Sequence, residues 1–400
     1  MAVRRGVIVS GLGVTQVIAW GSTYYLPAVL AEPIARETGW PQTWVIGGLS
    51  LGLLVAALIS PLVGRKIDHK GGRVVLSLSA IAISMGQLGL AISTTLAFYM
   101  MAWSLIGLGM GAGLYNAAFA TLGAIYGREA RIPITTLTLF GGFASTFCWP
   151  VSAFFVSTMG WRGACVAYAA IILFVVLPIY LFVVPGKSEN LGTRDKDSTQ
   201  TQKEEARERP SPFIFATLSL TVTIAAFISS LLSVHLLTIL QAGGISLAAS
   251  VSLGALVGPS QVAARTIEMA LARFHHPVWT KVTSVSCLAI GLFALWGDFT
   301  IIPIALAFYG AGIGLESVAR GTVPLALFGS NEYATLMGKL AMPSMLAQAL
   351  APLIGAMLLE WIQANGTLAV VASLAAINVA LTLLLVLKIS ESSNAKRRLF

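Results

Sequence analysis

Charge is scarce in this sequence. Lys, Arg, Asp and Glu make up only 10% of its 400 residues, where a soluble chain carries about 25%. Twelve of the 41 charged side chains fall between Pro185 and Pro212. The remaining 29 are too few to coat a water-soluble globule, which excludes a string of soluble domains. Cysteine is nearly absent too. Cys148, Cys165 and Cys287 all lie in apolar stretches, which excludes a disulfide framework and a cysteine metal site. His275 and His276 stand beside Pro277 with no further ligand nearby, so no metal is expected. Gly186-Lys187-Ser188 has the letters that end a phosphate-binding loop, but the first glycine of that motif would be Leu181. No nucleophile, base and acid fall together in a polar segment, so neither an enzyme nor a cofactor is expected. The net charge of +9 does not point to nucleic acid, because the basic residues sit in short loops between apolar runs.

What is abundant is apolar sequence: 56% of residues are hydrophobic and the mean hydropathy is +0.84. A helix needs roughly 20 apolar residues to cross hydrocarbon. Such runs fall near 7–31, 42–63, 74–93, 97–126, 134–158 and 164–184, then near 213–240, 247–272, 280–297, 301–328, 335–361 and 367–388. The fold class is therefore all-α, a polytopic membrane protein with twelve transmembrane helices. Arg4 and Arg5 precede a first run too long for a signal-peptide core, with no convincing cleavage site.

With the N-terminus inside, 21 of the 25 Lys and Arg residues, Lys281 among them, fall in inside loops and tails. Arg36 and Arg162 fall outside, and Arg265 and Arg320 lie within spans. Cytoplasmic loops carry such an excess. The bias predicts both termini in the cytoplasm and a multi-pass protein of the plasma membrane, the inner membrane if the host is bacterial. Residues 185–212 mix both charge signs and are expected to form a solvated cytoplasmic linker. The linker separates residues 1–184 from 213–400, six spans each. Pro150 and Pro352 sit at similar depth in spans 5 and 11. Equal halves with matching helix breakers predict two six-helix bundles from a duplicated unit.

The stretch after span 2 reads Gly64-Arg65-Lys66-Ile67-Asp68-His69-Lys70-Gly71-Gly72-Arg73. At this place in a six-plus-six protein, G-x-x-x-D-x-x-G-x-R resembles the signature loop of the major facilitator superfamily. The resemblance implies two bundles that rock about one central cavity. It also implies that this loop locks the inner gate when the protein faces outward, which makes Gly64, Asp68, Gly71 and Arg73 gating residues. The physics agrees: Asp68 can face a helix end and basic side chains can reach helix carbonyl ends, while Gly71 permits a tight turn. The competing reading is an ordinary basic loop. The stretch departs from the family pattern at His69 and Gly72, where arginine is usual.

Span 4 carries Gly107, Gly109, Gly111 and Gly113, resembling the family's glycine-rich fourth span. The family's drug exporters often place an arginine just before these glycines; Trp103 is near that place here. Span 5 has Pro150 but lacks the Gly-Pro pair of the antiporter signature. Both departures weigh against a drug/proton antiporter.

Ionisable residues inside spans are costly and therefore functional suspects. Span 8 carries Gln261, Arg265 and Glu268 at spacings that share one helix face. The region resembles the eighth span of the monocarboxylate-porter branch, where an aspartate four residues before an arginine serves proton and carboxylate binding. Arg265 matches that arginine; Gln261 stands at the aspartate and cannot titrate. Arg265 and Gln261 are thus substrate-binding candidates, and Glu268 is the candidate titrating group. The competing reading is a structural Arg265–Glu268 pair. Glu316 and Arg320 in span 10 are four apart, readable as a proton-coupling carboxylate and a gating arginine, or as a salt bridge at the inner gate. Histidine's ordinary titration range suits proton coupling, so His235 in span 7 is a candidate, with helix packing as the alternative. Tyr24, Tyr25, Tyr115 and Asn116 are polar groups at plausible cavity depth, though Tyr24 and Tyr25 also suit interfacial anchors.

These readings converge on a secondary active transporter moving a small solute by alternating access. The leading expectation is a proton symporter for a small organic anion, monocarboxylate-like. The alternative is an efflux transporter for amphipathic drugs or toxic small molecules. The expected partners are a small-molecule substrate, protons and the lipid bilayer, with the protein acting as a monomer.

Overall fold

The computed structural model describes residues 2–186, 211–297, 301–330 and 332–397, and these form helices without a strand. The predicted linker 185–212 lies almost entirely outside the described residues. Nine helical stretches among the described residues are long and apolar enough to cross a bilayer. Two are of double length, Arg131–Phe182 at 52 residues and Tyr333–Glu391 at 59. Each is broken by a residue with positive φ, Gly160 at 70° and Gln363 at 59°. Span 8 is split into two shorter helices, Leu247–Gly254 and Val257–Leu271. Counted through these breaks, the chain has the twelve transmembrane helices of the sequence reading.

Several boundaries differ in an informative way. Span 2 is helix α3, which runs over Gln42–Lys70 and so carries Gly64 and Asp68 on its last two turns. The turn is confined to Gly71 (φ 81°), whose N–H bonds Ile67 O at 2.8 Å. Span 1 is two helices, α1 (Ala2–Ser22) and α2 (Pro27–Thr38), joined by a turn at Thr23–Leu26. Span 4 is likewise α5 (Leu96–Gly113) and α6 (Tyr115–Tyr126), broken at Leu114, which is extended (ψ −172°). Span 3, helix α4 (Gly72–Ala91), is continuous.

The chain divides into two compact units. The first is Met1–Glu208 with Gly329–Ala349, and the second is Arg209–Phe328 with Leu350–Phe400. The start of span 11 therefore packs with the N-terminal spans. In the first unit the glycines of span 4 alternate between two neighbours. A Cβ on Gly107 or Gly111 would meet the Gly52 and Ala56 carbonyls of span 2 at 2.4 and 2.9 Å. One on Gly109 or Gly113 would meet span 3 at Ile83 and Ser79, both at 2.3 Å. Small residues let helix backbones approach this closely in lipid.

The second unit repeats the device on span 10. Gly310 and Gly314 face span 8 at Val257 O and Gln261 O, at 2.7 and 2.6 Å, and Gly312 faces span 9 at Leu288, at 2.7 Å.

Candidate functional site

Three groups of polar or aromatic side chains stand out, two in the first unit and one in the second. The first is the end of span 2. Asp68 Oδ2 accepts hydrogen bonds from Thr335 N at 2.7 Å and Thr335 Oγ1 at 2.5 Å. Span 11 begins at Tyr333, so Asp68 caps the start of a helix far away in sequence. A carboxylate there satisfies an orphan N–H and meets the positive end of the helix dipole. Gly64 makes the approach possible, since a Cβ on it would lie 2.2 Å from Ala334 O. One turn on, Gly338 faces Ser60 O in the same way at 2.3 Å. Arg73 Nε donates to Val184 O at 2.6 Å, at the end of span 6. Gly72 lies against Thr121, which a Cβ would meet at 2.2 Å, so the arginine that the family often carries has no room here.

The second group is aromatic and gathers at the breaks of spans 1 and 4. Trp20 lies 5.2 Å from Tyr24, 6.1 Å from Tyr25 and 5.1 Å from Tyr115, between ring centroids. Tyr25 continues to Trp149 at 6.1 Å, and Tyr115 stacks on Phe119 at 5.2 Å. Two fully buried glutamines satisfy carbonyls at the breaks. Gln16 Nε2 donates to Gly113 O at 2.7 Å, and Gln87 Nε2 donates to Ser22 O. Irregular backbone survives at membrane depth only where such partners exist. The Tyr115 hydroxyl rests on Gly141 of span 5, in the place a Cβ would occupy. Asn116 turns away from this cluster. Its Nδ2 lies 3.9 Å from Met345 Sδ, and it lines a small cavity with Ser60, Gly64, Ala334 and Gly338.

The third group ties spans 8, 9 and 10 of the second unit. Arg265 is buried at 4% exposure. Its Nε donates to Gly314 O at 3.2 Å and its Nη2 to Gln261 Oε1 at 3.1 Å. Glu268 is buried as well and accepts from Thr280 Oγ1 at 2.7 Å. His275 Nε2 lies 3.3 Å from Glu268 Oε2.

The Glu316 contacts revise the sequence reading. Glu316 Oε1 takes Lys281 Nζ at 2.6 Å, and Oε2 takes Ser284 Oγ at 2.9 Å. Lys281, counted above as a loop cation, is on the second turn of span 9 and only 1% exposed. Removing it from the inside total leaves the charge bias intact. Arg320 lies within Coulombic range of both Glu316 and Lys281, so the predicted two-residue bridge is a three-charge group. His235 Nε2 contacts Pro352 O at 2.8 Å, and Gly355 leaves room for its ring. The contact ties span 7 to span 11 at the proline of span 11.

A family model for the Major Facilitator Superfamily matches residues 12–273. This chain belongs to that superfamily. Solved transporters share its fold. The proton:xylose symporter XylE superposes with a TM-score of 0.73 at 12% identity, covering 95% of each chain. The human organic anion transporter MFSD10 gives 0.69 at 18% identity, covering 95% of this chain and 99% of its own. The E. coli fucose:proton symporter FucP gives 0.66 at 13% identity, covering 94% and 98%. An "Uncharacterized 38 kDa protein in 23S RNA operon" of Thermoproteus tenax is 28% identical over 168 residues, 42% of this chain and 44% of that one. The likeness to solved structures is one of fold. As a facilitator-superfamily member the chain is a multi-pass membrane transporter, not an enzyme.

Sequence reasoning missed Trp20, Phe119, Trp149, Gln16, Gln87, Thr335 and Lys281, and set His275 aside. Trp20 was discoverable, being four residues before Tyr24. The others are defined by contacts between spans and leave no local signal.

Proposed function

We propose that the protein carries a small organic anion, monocarboxylate-like in size, across the membrane with a proton by alternating access. The observation that carries the reading is Arg265, a buried guanidinium held in one orientation by Gly314 O and Gln261 Oε1. A fixed, desolvated guanidinium is well suited to a carboxylate, which it can take in two parallel hydrogen bonds. Arg265 and Gln261 act as the anion contact, and Tyr24, Tyr25, Tyr115 and Asn116 serve the substrate in the first unit. Glu268, Glu316 and His235 are the proton-coupling groups. Asp68, Gly64, Gly71, Arg73 and Arg320 act as the gate, which the capping of span 11 by Asp68 supports. The descriptions of MFSD10 as an organic anion transporter and of XylE and FucP as proton symporters accord with this reading at the level of fold. The protein works as a monomer in the plasma membrane, with both termini in the cytoplasm.

The test is ligand-dependent thermal unfolding in detergent with acetate, lactate, pyruvate and benzoate. A ligand that binds only the folded state raises the transition. At least one carboxylate should stabilise the wild type and leave Arg265→Gln unmoved. No stabilisation by any of the four overturns the anion reading.

A second reading is efflux of amphipathic molecules. The aromatic cluster of Trp20, Tyr24, Tyr25, Tyr115 and Trp149 favours it, since no acidic residue occurs on the spans that supply these rings between residues 7–31, 97–126 and 134–158. Stabilisation by a hydrophobic dye where all four carboxylates fail would place this reading first.

A further inference from the structure

His275 and Glu268 meet where the loop after span 8 joins the buried face of that span. We infer that they share one proton, and that His275 passes protons between solvent and the buried Glu268 carboxylate. This rests on the proton-coupled reading above, and it adds a group that reading does not use.

The argument starts from the tautomer. His275 Nδ1 lies 3.2 Å from His276 O. A carbonyl oxygen only accepts, so a hydrogen bond there assigns the hydrogen to Nδ1. The other ring nitrogen, Nε2, lies 3.3 Å from Glu268 Oε2. With Nδ1 already protonated, that contact is a hydrogen bond only if one more proton sits in it. Either Nε2 bears it and the pair is imidazolium with carboxylate, or Oε2 bears it and the pair is neutral imidazole with carboxylic acid. The two states differ only by transfer of a proton along one hydrogen bond. Thr280 Oγ1 donates to the other carboxylate oxygen at 2.7 Å, which fixes the carboxylate plane in both.

Position supplies the rest. The Glu268 side chain is 6% exposed, while that of His275 is 25% exposed. The histidine is thus the member in touch with water. Glu268 shares its helix face with Arg265, three residues away and bonded to Gln261 in turn. In the cycle, the imidazolium gives its Nε2 proton to Glu268. The carboxylic acid then gives that proton to the substrate carboxylate held at Arg265, which leaves Glu268 ionised. The neutral ring, 25% exposed, takes a proton at Nε2 from hydronium in the solvent, which leaves water and restores the imidazolium–carboxylate pair. The other charged and titratable groups on these elements are Arg265 on span 8, Arg273 and His276 in the loop, Lys281 on span 9, and Glu316 and Arg320 on span 10. Lys281 and Glu316 bond each other, so their charges largely offset.

The chain has only four histidines, so nitrogen NMR of protein labelled at histidine resolves them, and His275→Asn assigns the signal. The inference predicts that the His275 Nδ1 stays protonated and that its Nε2 signal reports a strong hydrogen bond. Glu268→Gln should abolish the latter and leave the other three histidines unchanged. A bare Nδ1, or an Nε2 signal that ignores Glu268→Gln, overturns it.

The transport arm uses proteoliposomes and the same four carboxylates. His275→Asn should lower proton-driven uptake at least tenfold while substrate exchange across the membrane persists. Equal loss of both would mark a structural role and overturn the proton-transfer assignment. If the wild type moves none of these anions, the functional reading fails, and the NMR result alone decides the shared proton.

Discussion

Asp68 accepts both the backbone N–H and the side-chain hydroxyl of Thr335, 267 residues further along the chain. One carboxylate thereby closes the end of span 2 onto the first turn of span 11. Removing a helix cap of this kind costs about 1–2 kcal/mol. Asp68→Ala should therefore loosen this contact without unfolding the protein. A cysteine placed at Ala334 should react faster with a polar thiol reagent in the Asp68→Ala background. Unchanged reactivity would show that the cap does not hold the contact.

Gly64 and Gly338 permit the same crossing from opposite sides, against Ala334 O and Ser60 O. A methyl at either place overlaps a backbone carbonyl, which cannot swing aside as a long side chain can. Overpacking of this type costs about 1–3 kcal/mol. Gly64→Ala and Gly338→Ala should impair transport to similar degrees, although only Gly64 belongs to the signature stretch. Uptake rates of the two variants, normalised to protein in the membrane, check this.

Glu316 faces two cations, the buried Lys281 and the half-buried Arg320. Lys281→Met leaves one carboxylate facing one guanidinium. Glu316→Gln removes the carboxylate that Lys281, 1% exposed, bonds in the interior, and the one that Arg320 faces. Breaking a buried pair by removing the shared partner costs about 3–5 kcal/mol. Glu316→Gln should lower the thermal transition much more than Lys281→Met. The reverse order would mean that Lys281 and Arg320 do not depend on the same carboxylate.

The two glutamines that serve the helix breaks are testable in the same way. Gln16→Leu strands Gly113 O and Gln87→Leu strands Ser22 O. Leaving a buried acceptor unmade costs about 1–3 kcal/mol. Gly141→Ala, which displaces the Tyr115 ring without touching a backbone bond, should change ligand affinity more than stability. Thermal unfolding with and without ligand separates the two effects.

The membrane made the architecture legible. Because each crossing needs a long apolar run, the twelve spans could be read from where such runs fall, and the Gly71 turn from the signature stretch after span 2. The alternation of Gly310, Gly312 and Gly314 between spans 8 and 9 is defined by contacts between spans and went unread. The breaks at Thr23–Leu26 and Leu114 were hidden for a physical reason. Pro27 after the first and Gly113 before the second permit a break but do not specify one in an apolar run, and the groups that make a break tolerable, Gln87 and Gln16, sit on other parts of the chain. Lys281 was misread because a lysine near a span end normally serves the interface. Its partner, Glu316, lies 35 residues on and one helix away. His275 looked idle because a histidine in a loop gains meaning only from what its ring faces, here Glu268.

The most direct test of the account is proton flux in proteoliposomes carrying a trapped pH dye. Acetate, lactate, pyruvate and benzoate are added outside in turn, to wild type and to Arg265→Gln. The account predicts protein-dependent internal acidification with at least one carboxylate and its loss in the variant. Acidification that survives Arg265→Gln, or none with any carboxylate, would contradict it.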